Sequence, residues 1–355
     1  MVQKIKASVI IPCRNEEKFI GKCLDSVIKQ DWPKEQLEAL VIDGKSDDNT
    51  KKIAEDYSQK IPYIKVLDNS NKFTPFGLNI GIKNAKGSVI VRMDAHTEYD
   101  NSYIKKCINY LYLSDDDEAD DNIKKYKDRI GNVGGVVALP PKEGFEEIKA
   151  SIGKNYNAEK ARAIAICLSH PFGSASRFRV GNKKPIFVDT VFCGCYKKEI
   201  FNQVGLFNEN LIRSQDLEFN LRLKRAGWKI LLIPEITFNY YPKDNFTEFF
   251  QHNFLDGIWA IYPFKFTKTP FRLRHYLPLF FVLSIFASLI LSAVVSRWFI
   301  FLPVIYLLAN LFFSLIVFLK EKDPKYLFFM PIAFICRHFG YGLGSIWGLM
   351  KLLRD

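Results

Sequence analysis

Residues 7–17, Ala7-Ser8-Val9-Ile10-Ile11-Pro12-Cys13-Arg14-Asn15-Glu16-Glu17, decide how the rest of the chain is read. Ala7–Pro12 is a continuous, β-rich apolar run that stops at a polar cluster. An unbroken run of this kind fits a strand covered on both faces, as in a parallel sheet. It does not fit a secretory leader, which needs about 7–15 apolar residues and a small-residue cleavage site. Lys4 and Lys6 precede a run that is too short, and Arg14 follows at once.

Downstream, the same alternation recurs. Phe19, Ile20, Cys23, Leu24, Val27 and Ile28 keep helical spacing within Glu16–Gln30. A second strand is expected over Glu38–Ile42, ending at Asp43, then a helix over Asn49–Gln59 that Asp48 or Asn49 can cap. A third strand over Ile64–Leu67 leads to a helix over Thr74–Asn84. Gly87 then turns the chain into a fourth strand, Ser88–Met93. Strands alternating with helices predict an α/β, Rossmann-like fold with a mainly parallel central sheet and right-handed crossovers.

Past Asp94 the pattern loosens. A helix is expected over Ser102–Leu113. The acidic run Ser114–Asp121 and the basic stretch Lys124–Arg129 read as a solvated insertion, because the glycine and spaced ligands of an EF-hand are missing. Further strands are expected at Val133–Leu139, Pro185–Cys195 and Trp228–Ile233, the last closed by Pro234. Lys197–Val204 reads as a short helix, and Leu217–Ala226 as a helix ended by Gly227.

The chain has 355 residues, enough for one catalytic-sized domain and an appendage. With 48% hydrophobic and 25% charged residues it is not a disordered protein. A net charge of +12 calls for an anionic partner. No RNP, zinc-finger or helix-turn-helix signature accompanies the charge, so nucleic acid is excluded and membrane lipids and a phosphorylated substrate remain. The seven cysteines include no CxxC pair, which predicts buried, reduced thiols.

The last third is far more apolar. Residues 241–275 hold an aromatic, amphipathic helix (Asn245–Ile261, with Phe246, Phe249, Phe250, Phe254, Ile258 and Trp259) and the basic residues Lys265, Lys268, Arg272 and Arg274. That combination suits a membrane interface or packing on the rest of the protein. Residues 276–355 form the expected membrane domain. Spans are predicted at about 276–295 and 298–319, each long enough for a hydrocarbon core of about 30 Å. A third segment, 326–350, carries Arg337-His338 and several glycines, and can span, re-enter or pack against the others. Basic residues cluster before the first span and in Lys320–Lys325, whereas the hairpin tip has only Arg297. The tip is therefore expected outside and residues 1–240 in the cytoplasm, in a multi-pass protein of the cell membrane.

Four polar clusters carry chemistry. Pro12-Cys13-Arg14-Asn15-Glu16 and Asp43-Gly44-Lys45-Ser46-Asp47-Asp48-Asn49-Thr50 follow the first two strands, where open α/β sheets bind ligands. Asp43 is placed to accept from a ribose or base. Neither GxGxxG nor GxxxxGK[ST] is present, which argues against dinucleotide-fold and P-loop chemistry. Arg92-Met93-Asp94-Ala95-His96 follows the fourth strand. Asp94 and His96 can share one divalent cation, with hard oxygen favouring Mg²⁺ and the imidazole favouring Mn²⁺. Arg213-Ser214-Gln215-Asp216-Leu217-Glu218 opens a helix, where Asp216 can be a cap or a general base.

In order along the chain, these stretches resemble family 2 glycosyltransferases of the GT-A fold. The resemblance rests on 8–17, on Val41–Asp48, on Asn79-Ile80-Gly81-Ile82, and on Ala85-Lys86-Gly87 before Asp94-Ala95-His96. The family usually has Asp-x-Asp where this chain has Asp94-Ala95-His96. That variant, with Val188-Asp189-Thr190, Arg213–Glu218 and Gln251 to Trp259, is similar to succinoglycan-type exopolysaccharide glucosyltransferases. The resemblance covers residues 7–260 and a similar membrane tail.

It implies a nucleotide-sugar site built from Pro12, Arg14, Asn15, Glu16, Asp43, Ser46, Asp48, Asn79, Arg92 and Asp94. It implies a metal on Asp94 and His96, and Asp216 as the base. Gly194, Arg213, Gln215, Glu218, Gln251 and Trp259 would lie near the acceptor or the diphosphate. The usual Glu-Asp ahead of the base helix is Gln215-Asp216 here. Gln251-His252-Asn253-Phe254 departs from the Gln-x-x-Arg-Trp of processive synthases, which argues against a processive polymerase.

The expected activity is inverting transfer from a nucleotide sugar, a UDP-sugar foremost, to a lipid-linked or polysaccharide acceptor. The alternatives are direct glycosylation of a polyprenyl phosphate, or a catalytically silent membrane protein that binds sugar nucleotides.

Overall fold

The computed structural model describes residues 6–115, 117–140, 142–153, 156–174, 179, 183–267 and 271–354. The chain divides into two compact units, Met1–Ala138 with Arg177–Tyr241, and Leu139–Ser176 with Pro242–Asp355.

The first unit is built on one nine-stranded sheet. Its strands are β1 (Ala7–Cys13), β2 (Leu37–Asp43), β3 (Ile64–Asp68), β4 (Val89–Arg92), β5 (Thr97–Tyr99), β6 (Ile130–Ala138), β7 (Ile186–Val188), β8 (Phe192–Lys197) and β9 (Lys229–Tyr240). The order is β3-β2-β1-β4-β8-β6-β9-β5, with β7 also on β9. The half read from the apolar runs, β3-β2-β1-β4, is parallel throughout. Beyond β4 the sheet is mixed. β8 runs antiparallel to both β4 and β6, and β9 is parallel to β6.

Alternate residues of the buried strands serve two cores. Val9 and Ile11 of β1, with Ala39 and Val41 of β2, join the helices Ile20–Ile28, Thr50–Lys60 and Tyr103–Leu111. Ile10, Leu40 and Ile42 join the opposite layer with Thr74–Asn84, Glu199–Val204 and Gln215–Arg225. All seven cysteines are free and buried.

Two differences from the sequence reading have physical causes. Pro234 does not close its strand: β9 continues to Tyr240. The register against β6 shifts between Gly134 and Val136, from Gly134↔Leu232 to Val136↔Thr237. Proline lacks the ladder N–H and is tolerated where the chain bulges. The Pro185–Cys195 region is two strands, β7 and β8, broken at residues 189–191.

In the second unit, the helix Phe246–Ile261 packs along the helix Tyr326–Arg354, which runs 29 residues unbroken through Pro331. A side chain on Gly257 would strike the Tyr341 carbonyl, and one on Gly344 would strike that of Phe254. Gly340 and Gly348 face Phe250 and Ile258 in the same way. This is the small-residue packing that lets helix backbones approach closely. Leu277–Val294, Arg297–Glu321 and Tyr326–Arg354 are three helical stretches long and apolar enough to cross a membrane. Two helices not expected from sequence, Lys142–Ile152 and Ala158–Ser169, belong to this unit. Arg162 of the latter pairs with Glu321 at 2.7 Å.

Candidate active site

The carboxyl ends of the parallel strands converge because their loops are tied to one another. β1 and β2 finish in register, Cys13 opposite Asp43. Gly44 N donates to Cys13 O (2.8 Å). A Cβ on Gly44 would lie 2.6 Å from Lys72 O, so only glycine lets the β1, β2 and β3 loops meet. Asn15 N donates to Ser46 Oγ (3.0 Å), and Asp47 N donates to Asn15 Oδ1 (2.9 Å).

Asp43 is buried and accepts from Ser46 Oγ (2.6 Å) and Ser46 N (3.2 Å). Asp48 Oδ1 accepts from Thr50 N (2.9 Å) and Oδ2 from Glu17 N (3.2 Å), so Asp48 opens the following helix. Burial opposes ionisation at Asp48, yet these hydrogen bonds hold its carboxyl below the usual range. Asn15, Lys45, Lys72 and Ser214 take φ of 55°, 55°, 68° and 59°. A left-handed conformation at four non-glycine residues is the kind of stored strain that collects at functional loops.

These loops surround a cavity of about 180 Å³, lined by Pro12, Arg14, Glu16, Arg92, Asp94, His96 and Gln215 among others. The sequence reading missed Asn69, Lys72, Phe73 and Thr74, which also line it. The signal was available, since they follow β3 just as the other clusters follow β1, β2 and β4. Phe73 and Lys72 are both exposed.

Arg92 grips Asp94 with its guanidinium, Nε to Oδ1 at 3.0 Å and Nη2 to Oδ2 at 3.3 Å. Burial alone would raise the Asp94 carboxyl, but Arg92, and His96 when charged, hold it below its usual value. Burial likewise disfavours the Arg92 cation, and Asp94 more than offsets this, so its pKa rises. Asp94 N donates to Tyr99 Oη (2.8 Å), which fixes the turn.

His96 Nδ1 meets Glu16 Oε1 at 3.0 Å. With Nδ1–H on the carboxylate, Nε2 presents the lone pair that a divalent cation takes. Among the described residues there is no cluster of three or more His, Cys, Asp or Glu side chains that could hold a metal. Asp94 and His96 fit a cation that draws its other ligands from phosphate oxygens and water.

Gln215, buried with 7% of its surface exposed, lines the cavity, and its Oε1 has no hydrogen-bond partner. A buried acceptor left without a protein partner is an atom that water or a bound molecule can satisfy. Asp216 is the next residue, in the first turn of Gln215–Arg225 behind the cap residue Ser214. It is half-buried, accepts from Leu217 N (2.9 Å) and lies within electrostatic reach of Arg92.

Several expected site residues lie off the cavity lining. Asp43, Asn15, Ser46 and Asp48 support the loops from behind. Asn79 is committed to the 207–209 loop, donating to Phe207 O and Glu209 Oε1 (2.9 Å each) and accepting from Phe207 N (3.0 Å). Glu218 is locked by Arg222 (2.7 and 2.9 Å), which also donates to Val204 O and Leu206 O. Gly194 is buried in β8, where a Cβ would strike Asn132 and Tyr196. Arg213 is half-buried in the segment before the Asp216 helix. Gln251 and Trp259 belong to the second unit, Gln251 exposed and Trp259 edge-on to Tyr262.

The family model described as glycosyl transferase family 2 matches residues 8–201. The chain belongs to this family. A Methanococcus voltae protein is 30% identical over 97% of both chains. It is named dolichyl N-acetyl-alpha-D-glucosaminyl phosphate 3-beta-D-2,3-diacetamido-2,3-dideoxy-beta-D-glucuronosyltransferase. Succinoglycan biosynthesis protein ExoA of Rhizobium meliloti is 22% identical, over 89% of this chain and 87% of its own. The Pyrobaculum calidifontis mannosyltransferase PcManGT, solved in complex with GDP-Man and Mn²⁺, superposes with a TM-score of 0.61. It is 16% identical, over 98% of this chain and 88% of its own, and shows the shared GT-A fold. The protein is a glycosyltransferase with a family 2 catalytic fold and three apolar C-terminal helical stretches.

Proposed function

We propose that this glycosyltransferase moves a sugar, with inversion, from a nucleotide sugar to a hydroxyl of a lipid-linked saccharide. The donor is a UDP-sugar, and transfer takes place at the cytoplasmic face of the membrane. The observation that carries the reading is the cavity on which Arg14, Lys72, Asp94, His96 and Gln215 meet, with Asp216 one residue away. Phe73 takes the base, Asn69 shapes the β3 loop by donating to Phe73 O (2.9 Å), and Asp43 braces the neighbouring β2 loop by holding Ser46. Arg14 and Lys72 oppose the diphosphate charge. Asp94 and His96 would hold a divalent cation, Mn²⁺ or Mg²⁺, which would supply positive charge against the diphosphate leaving group. The solved mannosyltransferase with GDP-Man and Mn²⁺ supports that choice.

The Gln215 carbonyl accepts from the donor or acceptor, and Asp216 takes the acceptor proton as the oxygen attacks the anomeric carbon. One base without a second, nucleophilic carboxylate gives inversion in a single displacement. Positioning and fixed charge supply much of the acceleration. A phosphate acceptor is already an anion at neutral pH and needs no base, so a base at Asp216 favours a hydroxyl acceptor over a bare polyprenyl phosphate. The name of the Methanococcus relative points to the same acceptor chemistry.

Purified full-length protein, screened with several nucleotide sugars with and without Mn²⁺, should release nucleoside diphosphate only with the cation. Asp216→Asn should lower transfer by about 10²–10⁴-fold while UDP binding holds. Undiminished turnover in that variant would remove the base assignment.

A further inference from the structure

The helix Tyr326–Arg354 carries Arg337 and His338 near its middle, and the second unit treats them differently. His338 Nε2 meets the Phe172 carbonyl at 2.7 Å, and Nδ1 meets the Tyr306 hydroxyl at 3.2 Å. A carbonyl only accepts, so Nε2 bears hydrogen, and Nδ1 shares a hydrogen bond with the Tyr306 hydroxyl.

Arg337 donates from Nη1 to Asn253 Oδ1 (2.5 Å) and from Nη2 to Ser174 Oγ (3.3 Å), and lies over the Tyr341 ring at 5.2 Å. All these partners are neutral. No carboxylate among the described residues pairs with Arg337, although the same unit pairs Arg162 with Glu321 and Lys325 with Glu159. A guanidinium stays charged at any working pH. Holding it inside an apolar helix against neutral partners is costly, and such residues mark ligand sites. Asn253 is fully buried, with Nδ2 donating to Phe249 O (2.7 Å), so its carbonyl is aimed at Arg337 and orients the fork. Arg337 itself is half-buried, which leaves part of it open to a ligand.

We propose that Arg337 binds the phosphate of a lipid-phosphate-linked acceptor, with Asn253 as its positioning residue. A guanidinium fork matches phosphate oxygens in shape and charge. A phosphate carried on a long apolar chain is the anion that reaches apolar helices along with its own hydrocarbon. The assignment rests on the lipid-linked acceptor reading above and names the group in that acceptor which is recognised.

The test uses full-length protein in phosphatidylcholine nanodiscs, probed with dolichyl phosphate, dolichol, phosphatidylglycerol and inorganic phosphate, with bound lipid read by native mass spectrometry. Dolichyl phosphate should bind and dolichol should not. Arg337→Gln should cut occupancy about tenfold or more, with Arg337→Lys between, while UDP binding is unchanged in both. Wild-type occupancy in Arg337→Gln overturns the proposal. So does equal displacement by phosphatidylglycerol, which marks a general anionic-lipid seat, or by inorganic phosphate, which marks a free-phosphate site. If Arg337→Gln also loses UDP binding, Asn253→Asp decides: a neutralised fork that still takes dolichyl phosphate overturns the proposal. The two readings fail separately, because absence of nucleotide release by wild type leaves lipid occupancy untouched.

Discussion

Arg92 at the end of β4 and Arg337 within Tyr326–Arg354 are both drawn away from water, yet one is closed and the other open. Arg92 meets both oxygens of Asp94, so its charge is spent within the protein. Arg337 meets only an amide oxygen, a hydroxyl and a ring. The difference teaches that a buried arginine can hold a carboxylate in place or wait for an anion, and that its partner says which.

The contrast can be broken by exchanging partners. Asp94→Asn should have the largest effect, because it leaves Arg92 buried with a neutral partner and removes a metal-holding oxygen. Transfer should fall by about 10³-fold or more, and unfolding free energy by about 3–5 kcal/mol. Nucleotide release and denaturant titration would read the two. The reverse exchange, Asn253→Asp, gives Arg337 the carboxylate it lacks. Dolichyl phosphate occupancy should drop about tenfold, with the fold intact by circular dichroism.

A third arginine sharpens the comparison. Arg222 is closed by Glu218, away from the cavity lining. Glu218→Gln should cost about 2–3 kcal/mol while the affinity for UDP, by calorimetry, stays put. A changed affinity would return Glu218 to the site.

The smallest effect is in acid. Because the Asp94 carboxyl is depressed in the folded state, its contribution is complete above the unfolded carboxylate range, near about pH 4. It is lost only as pH falls through the lower folded value. The melting-temperature gap between wild type and Asp94→Asn should be flat above that point and narrow below it.

The parallel half of the sheet was legible because both faces of β1, β2 and β4 are covered, so their residues form unbroken apolar runs. Thr74–Asn84 was read to the residue, helped by Pro75 at its start. The helices of 139–176 were missed because their apolar residues pack within the second unit, far along the sequence. Ala163, Ile164 and Cys167 meet Phe334 and Met330 in one cluster, and no local signal records that.

In the site, Asp94 and His96 were legible from their place after a strand. What Arg92 touches was not, because a basic residue before an aspartate reads equally well as a phosphate ligand. Lys72 and Phe73 were missed because Asn69-Ser70-Asn71 looks like an ordinary polar turn. Their meaning depends on the approach of the β1 and β2 loops across Gly44.

The glycine seam between Phe246–Ile261 and Tyr326–Arg354 bears on biogenesis. The first helix leaves the ribosome long before its mate, so until Tyr326–Arg354 has been made the bare backbone around Gly257 has no cover. Truncated chains that stop short of Tyr326 would keep that groove permanently unfilled, whereas ones ending at Tyr241 would remove both of its walls together.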